Sequence, residues 1–133
     1  MREILFRAKR EATNEWVYGY FVKEYDDFQI YVNSKIITKS GHEYVREDTL
    51  GQFTGLTDKN GVKVFEGDII QTYDSDDGYA VVRYDETETE FYADFIGESA
   101  YYGLGGNFRA DDIEIIGNIY DNPELIGGGE NDT

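Results

Sequence analysis

The chain predicts a mainly β fold with little or no helix, and three observations carry that prediction. Apolar residues recur at every second position along most of its length, the period of a strand with one buried face. Turn signals rich in Gly, Asp and Asn interrupt these runs at the spacing of an all-β barrel or sandwich. The aromatic residues, 12 Tyr and 8 Phe in 133 positions, are of the kind that covers half-buried sheet surface.

Ile4, Phe6 and Ala8 alternate with Leu5, Arg7 and Lys9, which predicts a first strand with the former set pointing inward. Polar residues 10–15 make a loop. Trp16, Tyr18, Tyr20 and Val22 then alternate with Val17, Gly19, Phe21 and Lys23, a second strand returning beside the first. After a turn at Asp26-Asp27, Phe28, Ile30 and Val32 alternate with Gln29, Tyr31 and Asn33 as a third. The signal fades over residues 34–48. Ile36-Ile37 is a short strand at most, Lys39-Ser40-Gly41-His42 is loop chemistry, and residues 43–47 show no period, so this stretch is expected to be an excursion.

The central segment, residues 52–70, predicts a hairpin whose turn can be read residue by residue. Asp58 can accept a hydrogen bond from the backbone two residues on, Asn60 tolerates left-handed φ, and Gly61 takes positive φ without a Cβ clash. A second turn at Glu66-Gly67-Asp68 leads into Ile69-Ile70, a β-branched pair suited to a buried strand. Asp58, Glu66 and Asp68 sit where a carboxylate can accept backbone N–H groups that otherwise go unpaired, so their expected role is structural.

Further on, Asp74-Ser75-Asp76-Asp77-Gly78 predicts an acidic hairpin tip. Ala80, Val82 and Tyr84 alternate with Val81 and Arg83, and the chain turns near Asp85-Glu86. Thr87, Thr89, Phe91, Ala93 and Phe95 then form one strand face with the glutamates on the other. Residues 97–107 are glycine-rich and predict a loop. Ile113, Ile115, Gly117 and Ile119 form a last apolar run that ends by Asn122-Pro123. Residues 127–133 hold nothing to bury and predict a mobile, disordered tail.

Three blocks of this sequence also resemble a known family. Phe53-Thr54-Gly55-Leu56-Thr57-Asp58-Lys59-Asn60-Gly61, then Phe65-Glu66-Gly67-Asp68-Ile69-Ile70, then Ile116-Gly117-Asn118-Ile119-Tyr120-Asp121-Asn122-Pro123-Glu124-Leu125-Ile126 resemble the YopX-like proteins of phages and prophages. Phe6-Arg7-Ala8 and Trp16-Val17-Tyr18-Gly19 fit the same pattern. The resemblance implies one domain over residues 1–126, an SH3-type small barrel in residues 51–126 around the central hairpin, with residues 1–50 as an added layer of antiparallel strands. It implies no biochemical activity. The residues it marks as structural are Thr54, Gly55, Leu56, Asp58, Asn60, Gly61, Glu66, Gly67, Asp68, Gly117 and Asn118.

Composition limits the chemistry. A length of 133 residues fits one domain, at roughly 100–200 residues each. A net charge of −16 repels phosphate backbones and anionic membrane surfaces, so neither direct nucleic-acid binding nor membrane binding is expected. Without cysteine there is no disulfide, thiolate nucleophile or cysteine-ligated metal. The start of the chain has only a short apolar island broken by charge, neither signal peptide nor span, and the expected location is the cytoplasm.

No motif points to a catalytic, cofactor or metal site. Counted from Asp74, an EF-hand register would need glycine sixth and glutamate twelfth, but Gly78 falls fifth and Asp85 twelfth. His42 is the lone histidine, and no nucleophile-elbow context surrounds Ser34, Ser40, Ser75 or Ser99. Gly103-Leu104-Gly105-Gly106-Asn107 lacks the strand-then-helix frame and the lysine of a phosphate loop.

The favoured function is therefore a non-enzymatic interaction or self-assembling module that uses unpaired sheet edges and exposed tyrosines on a neutral or basic protein partner. One alternative is an acidic mimic of nucleic acid that inhibits a basic host protein. It would draw on Glu86, Glu88 and Glu90 projecting about 6.6 Å apart from one strand face. Another is a hydrolase or sugar-binding module with paired carboxylates and tyrosines.

Overall fold

Period-2 patterning is realised as antiparallel strands throughout the structure, a computed structural model that describes residues 3–72 and 78–127. The acidic tip expected at residues 74–78, apart from Gly78, and the tail from residue 128 onward lie outside the described residues. The chain divides into two compact units, Met1–Phe53 and Thr54–Thr133.

In the first unit β1 (Phe6–Arg10), β2 (Trp16–Tyr25), β3 (Tyr31–Thr38) and β4 (Gly41–Thr57, as far as Phe53) pair in sequence order. β1 also pairs with β4, so the four strands close into a ring. The closure is uneven, because the β1–β4 register shifts between Arg7 and Lys9. Thr49 bridges the gap. Its Oγ1 accepts the Lys9 N–H at 2.8 Å and donates to the Arg46 carbonyl at 2.7 Å, so the register break leaves these backbone groups satisfied. Ala8, Val17, Ile36 and Val45 fill the interior, with Phe6, Phe21 and Leu50 packed against them. Gly19 is required there, since a Cβ would collide with the Ile37 carbonyl oxygen.

Three expectations for this unit need correction. Arg7 and Lys9 are buried, not outward, because the Trp16 ring lies across them, 4.5 Å from the Arg7 Cζ and 5.3 Å from the Lys9 Nζ. In β2, whose inward face the alternation left open, Val17 is buried and Tyr18 and Tyr20 face solvent. The supposed excursion at residues 34–48 is strand on both sides of a turn. β3 starts at Tyr31 and carries buried Ser34 and Ile36, while Phe28 and Ile30 belong to a turn in which Asp26 Oδ1 accepts both their N–H groups at 2.8 and 2.9 Å. A buried serine in the inward row hid the period.

In the second unit the end of β4 pairs with β5 (Lys63–Phe65). β6 (Asp68–Thr72), β7 (Tyr79–Asp85), β8 (Glu90–Phe95), β9 (Tyr102–Gly103) and β10 (Ile113–Asn118) form one antiparallel sheet in the order β10-β6-β7-β8-β9. Its core is Val64, Ile70, Ala80, Val82, Ala93, Phe95, Leu104 and Ile113. Among the described residues, helix is confined to the turn α1 (Leu104–Asn107) and 3-10 turns at Ala110–Asp112 and Pro123–Ile126.

The stretch at residues 97–107 is thus not all loop. Leu104 is buried among the core residues, and that burial holds β9 and α1 in place despite their glycines. The strand expected from Thr87 begins only at Glu90. Asp85 Oδ1 accepts the Thr87 N–H at 2.9 Å, Thr89 has φ of 54°, and residues 86–89 are a turn.

Candidate functional site

The residues of the family pattern gather into backbone ties in and beside the central hairpin. Asp58 is 3% exposed, and its Oδ1 accepts the N–H groups of Asn60 and Val62 at 2.9 and 3.0 Å. Its Oδ2 takes the N–H of Ile115 on β10 at 3.1 Å. One carboxylate therefore closes the turn and fastens it to a strand far along the chain. Gly61 takes the left-handed conformation, φ 81°, while Asn60 is not among the positive-φ residues and does not use the tolerance expected of it. Thr54 Oγ1 donates to the Val64 carbonyl at 2.9 Å and accepts the Leu56 N–H at 3.1 Å, pinning the hairpin across Gly55.

The second motif turn follows the same logic. Asp68, buried, accepts the Phe65 N–H at 2.7 Å. Gly67 donates to the Val82 carbonyl at 2.8 Å and accepts from Ile119 N–H at 2.9 Å, with Glu66 beside it. Asn118 Oδ1 accepts the N–H groups of Tyr120 and Asp121 at 3.0 and 2.9 Å. The Asn122 side chain packs onto Gly117 so closely that a Cβ there would stand 2.6 Å from its Oδ1. These hydrogen bonds orient backbone.

Among the described residues, no group of three or more His, Asp or Glu is placed to hold a metal ion. His42 stands on β4, not in a loop, with its ring 5.4 Å from Tyr44 in an edge-on contact. Glu86 and Glu88 lie in the turn before β8, so the row of carboxylates on which a nucleic-acid mimic would depend does not form.

Two of the edges that could receive a partner strand are occupied. β1 pairs on both sides in the first unit. In the second, the β10 edge is met by the hairpin turn, through Asp58 on Ile115 and the Lys59 N–H on the Ile113 carbonyl at 2.9 Å.

What remains available is sheet face. Register places Tyr20, Ile37 and His42 opposite one another across β2, β3 and β4, with Tyr18 and Tyr44 two residues along. Tyr20 is 64% exposed. Beside them Lys35 is held by Glu24 at 2.8 Å, a hydrogen bond that keeps the Glu24 carboxyl below its ordinary range. At the hairpin end Tyr25 meets Tyr31, ring centroids 6.3 Å apart, on the side of Lys23 and Ser34, and Phe28 is 80% exposed. Sequence reasoning placed Phe28 and Ile30 in a strand, where the structure has a turn.

A groove marks the second unit. Its lining includes Glu66, Gly67, Val82, Arg83, Tyr92 and Tyr120, and Tyr84, also against it, points to the opposite face of β7 from Arg83. Arg83 is paired with Asp94 at 2.7 Å.

Compared with known proteins, the family model described as YopX protein matches residues 5–127. Two solved structures are similar to almost the whole chain. Protein EF1440 from Enterococcus faecalis is 23% identical, with TM-score 0.56 over 95% of this chain and 99% of that one. Protein yopX from Bacillus subtilis is 18% identical, with TM-score 0.52 over 96% of this chain and 98% of that one. At these identities the likeness is one of fold. No curated protein matches the chain.

Proposed function

The chain belongs to the YopX family, and from that premise we propose that it is a non-enzymatic interaction module of phage or prophage type, docking on another protein or on further copies of itself in the cytoplasm. On this reading the second unit, a hairpin and sheet about one core, is the SH3-type barrel that the sequence resemblance implies. The observation that carries the proposal is the aromatic face of the first unit. Tyr18, Tyr20, Ile37 and Tyr44 are exposed on one face by register, and Tyr25, Phe28 and Ile30 are exposed at the hairpin end, on a chain whose net charge is −16. Exposed apolar side chains sharing one sheet face of so polar a protein support a contact surface, and tyrosine supplies contact area at low entropic cost.

The test replaces Tyr20 and Phe28 with serine. Both side chains are mostly in solvent, so thermal stability is expected to hold while association, read by light scattering and by capture of the partner, is lost. Association that survives the double variant unchanged would refute this reading.

A further inference from the structure

On the outward face of the first unit's sheet, register sets Tyr20, Ile37 and His42 in one row across β2, β3 and β4, and Val22, Lys35 and Tyr44 in the next. Charge in these rows belongs to Lys35, and the Glu24 carboxylate, bonded to it at 2.8 Å, cancels it. The face is therefore close to neutral on a chain whose net charge is −16. A basic protein gains little there, because Glu24 is already committed to Lys35. Two copies of the chain repel one another as whole molecules, yet across this face they meet without opposing like charges.

His42 is the chain's one histidine, and it stands inside this neutral patch with its ring edge-on to Tyr44. Imidazole is the side chain that ordinarily changes charge between about pH 5 and 8. Tyr20 on β2 and Ile37 on β3 share its row, and Glu24, the carboxylate that feels its charge, is held by Lys35. On its own strand Glu43 alternates to the other face and pairs with Arg10 at 3.2 Å, Arg46 is held by Asp48 at 3.3 Å, and the turn before it carries Lys39. Taking the aromatic face as the contact surface proposed above, we propose that its occupant is a second copy of the chain, packed sheet against sheet about a twofold axis, and that protonation of His42 releases the pair. Enclosing His42 between two sheets favours its neutral form, so association is linked to proton loss. It is complete while the imidazole is neutral and falls away as pH drops through the histidine range. Acidification otherwise helps copies approach, since protonating carboxylates lowers the negative charge that holds them apart. A dimer that weakens in acid therefore runs opposite in sign to the whole-molecule trend.

The experiment is sedimentation equilibrium of the purified full chain at about pH 8 and about pH 5.5, on either side of the ordinary histidine value of about 6.5. A dimer is expected in the first. In the second its dissociation constant should rise about tenfold for each imidazole that must stay neutral, about a hundredfold for the pair. His42→Gln and His42→Phe, uncharged at both values, should keep the dimer in acid. Ile37→Lys, which sets like charges against each other across the twofold, should give a monomer at the higher pH, with folding checked by circular dichroism. The proposal is overturned by a native chain that is monomeric at the higher pH, by equal dissociation constants at the two values, by native-like weakening in both His42 variants, or by a dimer indifferent to Ile37→Lys. A chain that is monomeric alone yet captures a different protein through Tyr20 and Phe28 would overturn the twofold pair and leave the contact surface standing. A dimer untouched by the Tyr20 and Phe28 serine variants would count against both.

Discussion

Burial would ordinarily push a carboxylate as enclosed as Asp58 towards its neutral form. Its pKa is instead held below the ordinary 3.8, because the N–H groups of Ile115, Val62 and Asn60 donate to it and Lys59 adds a favourable charge. A depressed native value means that the unfolded chain binds more protons, so this stability is complete above the unfolded pKa and is lost as pH falls through the native one. Acid titration of unfolding should show that loss below about pH 4, with a shallower dependence in Asp58→Asn. Removing the carboxylate in Asp58→Ala leaves three amide donors without their acceptor, an expected cost of about 3 kcal/mol in urea denaturation. Gly19→Ala drives a methyl into the Ile37 carbonyl and should cost about 2 kcal/mol, measured in the same way. Asp58 was legible as a turn acid because two of its donors lie within four residues. Its third donor lies 57 residues away, and no local pattern points to it.

At the scale of elements, the hairpin of β4 and β5 was readable because its turn chemistry is contained in consecutive residues, Asp58 through Gly61. β3 and the start of β4 were not. Their inward row includes Ser34, a polar residue whose Oγ is satisfied by Tyr31 at 2.8 Å and Glu47 at 3.0 Å, and periodicity analysis counts only apolar side chains. The β8 boundary failed for the opposite reason, since Thr87 and Thr89 continue the alternation while Asp85 folds them into a turn. The join between the hairpin and β10 has a measurable consequence. The Ile115 amide should exchange slowly with solvent deuterium in the native chain and much faster in Asp58→Ala, because its acceptor is that carboxylate. Unchanged protection of Ile115 would mean that another group seals the β10 edge.

Over the whole molecule, charge and exposed aromatics act together. At −16 the chain repels anionic surfaces, so the partner proposed for the aromatic face is expected to be a neutral or basic protein. Association with a basic partner should weaken on raising salt from about 0.05 to about 0.5 M, while self-association through tyrosines should hold or strengthen. Sizing and pull-down across that series separate the two. The sequence by itself determined the β class, both motif turns, and the lack of any cysteine-based chemistry, because each depends on residue type and on neighbours a few positions apart. Tertiary structure decided that β1 closes on β4, that Trp16 covers Arg7 and Lys9, and which face of β2 meets solvent. Those outcomes depend on which distant strand lies alongside, and pairing between strands far apart leaves no periodic trace in either one.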